Sequence, residues 1–168
     1  MDKNLTGREI RLAGRPVGPP GHQHFHLVST AVPPLAEGQI LVRNTWMSVD
    51  PYMRGRMDDK PSYLPPFQLD AALEGGAIGE VIASKSATIA TGATVSHFLG
   101  WRDYAVLDAT SATLVDTSSG PAQAYLGVLG TTGLTAYAAL TEAAPVRPSD
   151  TVFVSGAAGA VGSVAGQL

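Results

Sequence analysis

The chain has 168 residues, enough for one domain or for one domain and a fragment of a second. Hydrophobic residues make up 45% and charged residues 15%, which places a packed core within reach and excludes global disorder. The formal net charge of −3 comes with no basic block and argues against a nucleic-acid partner, and the absence of cysteine excludes disulfides and thiolate zinc sites.

Residues 1–15 carry charges at Asp2, Lys3, Arg8, Glu9 and Arg11 and lack the apolar core of a secretory signal. No run reaches the roughly 20 apolar residues of a membrane helix. The expectation is a cytoplasmic protein without a membrane partner. Nineteen glycines and twelve prolines favour a body of turns and strands over a helical bundle.

In chain order, residues 9–12 read as a short strand, closed by the Gly14-Arg15-Pro16 and Gly18-Pro19-Pro20-Gly21 turns. His22, His24 and His26 alternate, so an extended chain would put them on one face. With no carboxylate near them and His97 remote, a solvated face is favoured over a metal site, and no metal is expected. Residues 25–29 alternate apolar and polar up to Pro33-Pro34, and residues 39–45 are rich in strand formers. Residues 77–83 form another strand, in which Gly79 suggests a bulge. Residues 94–98 and 103–107 follow, joined through Leu99-Gly100-Trp101. Short strands punctuated by turns point to a small barrel or sandwich.

The character changes between Ala109 and Pro121. Residues 122–129 and 135–144 are alanine- and leucine-rich and read as two helices separated by Gly130 and Gly133. Residues 151–155 (Thr-Val-Phe-Val-Ser) then resemble a strand buried in a parallel sheet, 156–162 a glycine-rich turn, and 163–168 the start of a helix. A lone βα unit cannot bury its own faces, so the chain is expected to be a truncated piece, with one domain over 1–120 and the beginning of a second over 121–168.

Two segments offer chemistry. Residues 156–162 read Gly-Ala-Ala-Gly-Ala-Val-Gly, close to the dinucleotide pattern except for alanine at 157. Small residues let the backbone approach a pyrophosphate, and amides at the helix start face the anion. The alternative is a tight βα turn with no ligand. The residue that separates NAD from NADP would lie about 20 positions further on, past Leu168. The second segment is Ser48-Val49-Asp50-Pro51-Tyr52-Met53-Arg54-Gly55-Arg56-Met57, read as a loop with an aromatic hydroxyl between basic side chains. Arg54 or Arg56 suits a phosphate, and Tyr52 suits a carbonyl or a ribose. On residue types alone the plainer version is favoured, in which Asp50 pairs an arginine and Tyr52 packs.

The order of that segment, then Gly100-Trp101-Arg102-Asp103-Tyr104, then Gly133-Leu134-Thr135-Ala136-Tyr137, then the Gly156 turn, resembles the medium-chain dehydrogenase/reductase superfamily. Within it the chain is similar to the zinc-independent leukotriene B4 12-hydroxydehydrogenase, prostaglandin reductase and alkenal or curcumin double-bond reductase group, from about Arg11 onward. The resemblance implies a GroES-like barrel followed by a Rossmann domain, here truncated, in a parent about twice this length. It implies NADP(H) as cofactor, with hydride delivered to the β-carbon of an enone or enal and a proton to the α-carbon. It also implies that Tyr52 and Arg54 act at the catalytic cleft. Tyr52, Met53, Thr131, Thr135, Ala158, Gly159, Ala160 and Val161 would contact the cofactor. Where the family often has Met-Pro before the glycine, this chain has Thr131-Thr132, an altered contact at the nicotinamide end.

Zinc-type alcohol dehydrogenases share the fold but need the missing cysteines. Quinone reductases of the superfamily stay open, with the 50–57 segment against them. A different class of reading is a module without activity of its own, whose apolar surface over 151–168 drives self-association, as in a homodimer, or partner binding.

Overall fold

A two-stranded ribbon opens the fold. β1 (Thr6–Leu12) and β2 (Phe25–Ala31) pair antiparallel from Thr6↔Ala31 to Leu12↔Phe25, so both run past the ends predicted for them. The structure is a computed structural model and describes residues 5–168; the start of the charged N-terminal stretch, Met1 to Asn4, lies outside the described residues. The alternating histidines do not share a strand face. His22–His24 is a 3-10 turn in which His24 Nδ1 accepts the Gly21 N–H at 2.9 Å, and only His26 lies in β2.

The second sheet contains β3 (Gln39–Met47), β4 (Ala77–Ser84), β5 (Thr94–His97), β6 (Tyr104–Asp108) and the two-residue β7 (Thr113–Leu114), in the order β6-β3-β4-β5-β7. All neighbours are antiparallel. The register slips between Asn44 and Trp46 opposite Gly79 and Ile78. The irregularity expected near Gly79 is therefore carried by Thr45 of β3, whose hydroxyl donates to the Ile78 carbonyl at 3.0 Å. Among the described residues the strands do not close into one continuous ring. Single bridges, Glu9↔Arg102 and Arg11↔Ala72, tie the ribbon to the rest.

Two apolar clusters hold these parts. One lies on the sheet, with Ile40, Val42, Val81 and Val95 from three adjacent strands, each fully buried. The other gathers Leu12, Met53, Met57, Phe67 and Leu73, with Ile10, Phe25, Tyr52 and Trp101 at its margin. The second cluster contains a helix where the sequence predicts a loop: α1 (Tyr52–Arg56), a single turn behind Pro51. Proline's fixed φ suits a helix start, and the Met53 N–H returns to the Asp50 carbonyl at 3.1 Å.

The chain divides into two compact units, one ending at Val115 and the other Asp116–Leu168. The second unit departs most from expectation. Residues 122–129 give only a 3-10 turn, Ala122–Leu126, because Gly127 and Gly130 break the run. α2 (Thr131–Ala138) begins four residues ahead of the predicted start, behind Gly130, and continues as a π-helical turn, Ala139–Ala143. Residues 151–155 form no strand. A parallel strand takes its ladder bonds from neighbours far away in sequence. Among the described residues none is paired with this segment, and Phe153 is 90% exposed. α3 (Ala160–Ala165) starts three residues early, with Gly159 as its N-cap, and packs against α2. The first unit is thus a mainly β domain with few helices, and the predicted βα unit is present as a glycine turn and helix without its strand.

Candidate active site

The first group of predicted site residues lies on α1, and its three side chains have different fates. Met53 is 2% exposed and is part of the apolar cluster. Arg54 points the other way, and its guanidinium is committed to protein acceptors. Nε and Nη2 donate to the Gly18 carbonyl at 3.0 and 2.9 Å, Nη2 also to that of Pro16 at 3.1 Å, and Nη1 to Asp58 at 2.8 Å. The contact with Asp58 holds that carboxyl below the usual range. Arg54 therefore fastens α1 to the turn at residues 16–18.

Tyr52 is half-buried, and its ring stacks on Phe98 with centroids 6.1 Å apart and planes 18° off parallel. Its hydroxyl is buried and has no hydrogen-bond partner. Burial first, and then the Asp50 carboxylate, raise its pKa above the ordinary phenol value, with Arg56 opposing. The group stays protonated at neutral pH. It is a hydrogen-bond donor without an acceptor, and such groups are rare enough in folded proteins to require an explanation.

The surroundings of that hydroxyl are built from chain segments that cross at Gly75. A side chain at 75 would run into the Met53 Sδ-methyl and lie 3.5 Å from Tyr52 Oη, so only glycine leaves this space open. Gly75 N–H donates to the Phe98 carbonyl and Gly100 N–H to that of Gly75, both at 3.0 Å. Ser48 N–H donates to Gly76 at 2.8 Å, and Ser48 Oγ to Asp50 at 2.6 Å. Arg56, only 6% exposed, stacks over Phe67 at 4.1 Å. It donates to the Pro65 carbonyl at 2.8 Å and to Glu74 at 2.9 Å, and its Nη1 is buried without a partner. Trp101 Nε1 is a third such orphan, on a residue held at φ +60°. A non-glycine residue in that region costs conformational energy and persists only where its surroundings enforce it.

Sequence reading missed Asn44, Gly75, His97 and Phe98. His97, remote in sequence from the other histidines, is 7% exposed and hydrogen-bonded through both ring nitrogens. Alternation in β5 was its one available signal, since it places His97 on the same face as Val95.

The second group of predicted residues lies in the second unit. Thr131 opens α2, and Thr135, one turn on, donates its hydroxyl to the Thr131 carbonyl at 2.7 Å. Ala158, Gly159, Ala160 and Val161 are all exposed, with Ala160 and Val161 in the first turn of α3 rather than ahead of it. A side chain at Gly162 would collide with the Gly156 carbonyl and come within 2.9 Å of Ala157 Cα, so α3 begins in direct backbone contact with the turn. Exposed small residues and first-turn amides fit a diphosphate in kind. Among the described residues no helix is long and apolar enough to cross a membrane, and no group of three His, Asp or Glu is placed to hold a metal ion.

Residues 8–115 match the family model for the N-terminal domain of oxidoreductase. The Bacillus subtilis protein YfmJ is 47% identical over 161 residues, covering 96% of this chain and 47% of its own. NADPH-dependent curcumin reductase of Escherichia coli is 38% identical over 158 residues, covering 94% of this chain and 46% of the enzyme. The crystal structure of CurA in complex with NADPH from Vibrio vulnificus superposes with a TM-score of 0.89 at 40% identity, covering 95% of this chain and 48% of that one. The chain spans about half the length of the curated relatives it matches. It belongs to the zinc-independent, NADP-dependent oxidoreductases of the medium-chain dehydrogenase/reductase superfamily, the group that holds the curcumin, alkenal and prostaglandin reductases.

Proposed function

We propose that this chain is the substrate-side half of an NADPH-dependent reductase acting on the carbon–carbon double bond of α,β-unsaturated ketones or aldehydes. The observation that carries the reading is the Tyr52 hydroxyl, a protonated, buried donor with no acceptor, set against an apolar wall that includes Phe98. An enone offers a carbonyl oxygen to such a donor and a flat conjugated body to such a wall. Two relatives are named for reactions of this kind, curcumin reductase and 2-alkenal reductase.

In this reading Tyr52 donates a hydrogen bond to the substrate carbonyl, which stabilises negative charge as it develops on that oxygen. The raised pKa keeps the proton on Tyr52. Arg54 serves as a brace for α1 rather than as a contact to the reacting atoms. NADPH, when bound, supplies the hydride. Ala158, Gly159, Ala160 and Val161 would hold its diphosphate, and Thr131 and Thr135 would lie toward its nicotinamide half. Met53, being buried, acts by packing beneath Tyr52. The whole protein would be cytoplasmic, with a GroES-like catalytic domain over 1–120 and a Rossmann domain opening over 121–168.

The test is enone-dependent oxidation of NADPH by the protein that carries this chain, with a 2-alkenal and an aromatic enone as substrates. Consumption that requires the enone is expected; a rate no higher than without it would end the proposal. A second reading, a module that self-associates as a homodimer, draws on the exposed Phe153, Val152 and Leu168. Sedimentation that stays monomeric at tens of micromolar would remove it.

A further inference from the structure

Phe98 forms one wall of the candidate site, stacked on Tyr52. The residue is 43% exposed, and the backbone around it is fixed by hydrogen bonds: its own carbonyl accepts the Gly75 N–H at 3.0 Å. On the near side is His97, whose Nδ1 accepts the Leu99 N–H at 3.0 Å across the turn that carries Phe98. An Nδ1 that accepts carries no proton, so the neutral ring bears its hydrogen on Nε2, which donates to Asn44 Oδ1 at 2.9 Å. The Asn44 amide then donates to the carbonyls of Leu99 at 3.0 Å and Arg102 at 2.9 Å. Both ends of the 98–102 segment are thereby tied to one pair of side chains, His97 buried and Asn44 half-buried.

From these contacts we propose that the Asn44–His97 pair is a positioning device: it sets the turn at 98–102 and so the face that Phe98 presents to Tyr52. The proposal rests on the reading of Tyr52 as the substrate-facing group. Asn44 sits at the bulge where β3 slips past Gly79, which turns its amide toward the 98–102 segment instead of along the ladder. Arg102 is fixed within the same segment, donating to Gly100 and Leu73 carbonyls at 3.1 and 2.9 Å. The left-handed backbone of Trp101 lies between these anchors, where a local constraint is required. His97 touches neither substrate nor cofactor in this account and acts only through Phe98.

The experiment compares wild type, His97→Leu, His97→Asn and Phe98→Leu by two readouts. In the 168-residue chain, NMR cross-peaks between the Tyr52 and Phe98 rings should weaken at least about fivefold in His97→Leu. They should recover in His97→Asn, whose side-chain oxygen can accept the Leu99 N–H. In the enone assay of the protein carrying this chain, His97→Leu should raise KM about tenfold with kcat within about twofold. The double variant with Phe98→Leu should be no worse than Phe98→Leu alone, since the two act through one contact. Should His97→Leu fail to fold, His97→Phe replaces it, keeping a flat ring while withdrawing the acceptor from Leu99. A folded variant that lacks this acceptor but keeps the Tyr52–Phe98 cross-peaks at full strength overturns the proposal. A wild type that shows the cross-peaks but no enone-dependent NADPH oxidation would instead overturn the functional reading and leave the positioning role standing.

Discussion

The two units of this chain solve the same problem with unequal means. In the first, every strand finds an antiparallel partner within the unit, and large residues such as Leu12, Ile40, Ile78 and Leu73 are fully buried. In the second, α2 and α3 pack on each other, yet Val152 and Phe153 are exposed and the strand written into residues 151–155 does not form. The difference lies in where the partners come from. Antiparallel neighbours are supplied by short turns, whereas a parallel strand waits for partners that a crossover brings from elsewhere. A segment can therefore have the composition of a buried strand and remain unpaired when those partners are not at hand.

The largest expected effect is a direct break of this contrast. Leu12→Ala should destabilise the first unit by about 2–5 kcal/mol in urea unfolding, whereas Phe153→Ala should shift stability by less than about 0.5 kcal/mol. Equal losses would erase the distinction between the units.

Acid should act next. Burial, with the Arg102 charge adding, brings His97 down from the ordinary 6.5 to about 4. Between these values the unfolded chain binds the extra proton, so stability is complete above about pH 6.5 and falls as pH drops toward 4. The loss should reach about 3 kcal/mol at about 1.4 kcal/mol per pH unit, and His97→Gln should flatten it. A wild-type profile without slope in that window would show that the ring protonates as easily folded as unfolded.

Smaller effects sharpen the picture of α1. Arg54→Ala removes charge-assisted bonds to the Pro16 and Gly18 carbonyls at a partly exposed site and should cost about 1–2 kcal/mol, read by thermal unfolding. A change below that range would free Arg54 for a role other than bracing. Tyr52→Phe should alter stability by no more than about 0.5 kcal/mol, because the hydroxyl it removes has no partner.

Much of the first unit was legible because alternation and turn residues are local signals. The strands from residue 9 to residue 107 were all present in the pattern, although their ends moved by one to three residues, most of them outward and those at 98 and 103 inward. The Asp-Pro-Tyr-Met-Arg-Gly-Arg-Met segment was legible as a site, but not as a helix, since five residues give no period to read. The roles within it were not legible either: only distances assign Arg54 to Gly18 and Met53 to the core. Asn44, Gly75 and the adjacent His97 and Phe98 come from three separate stretches of chain, and nothing in the spacing of those stretches brings them together. The glycine turn was legible as the start of a helix, but the period could not tell residue 160 from residue 163 as its first residue.

The most direct measurement is enone turnover by Tyr52→Phe against wild type, in the protein that carries this chain, with NADPH and with thermal stability recorded for both. On the proposed role of Tyr52, a protonated donor to the substrate carbonyl, kcat should fall about tenfold or more while the melting temperature holds. Unchanged turnover in a variant of unchanged stability would return Tyr52 to packing and contradict the account.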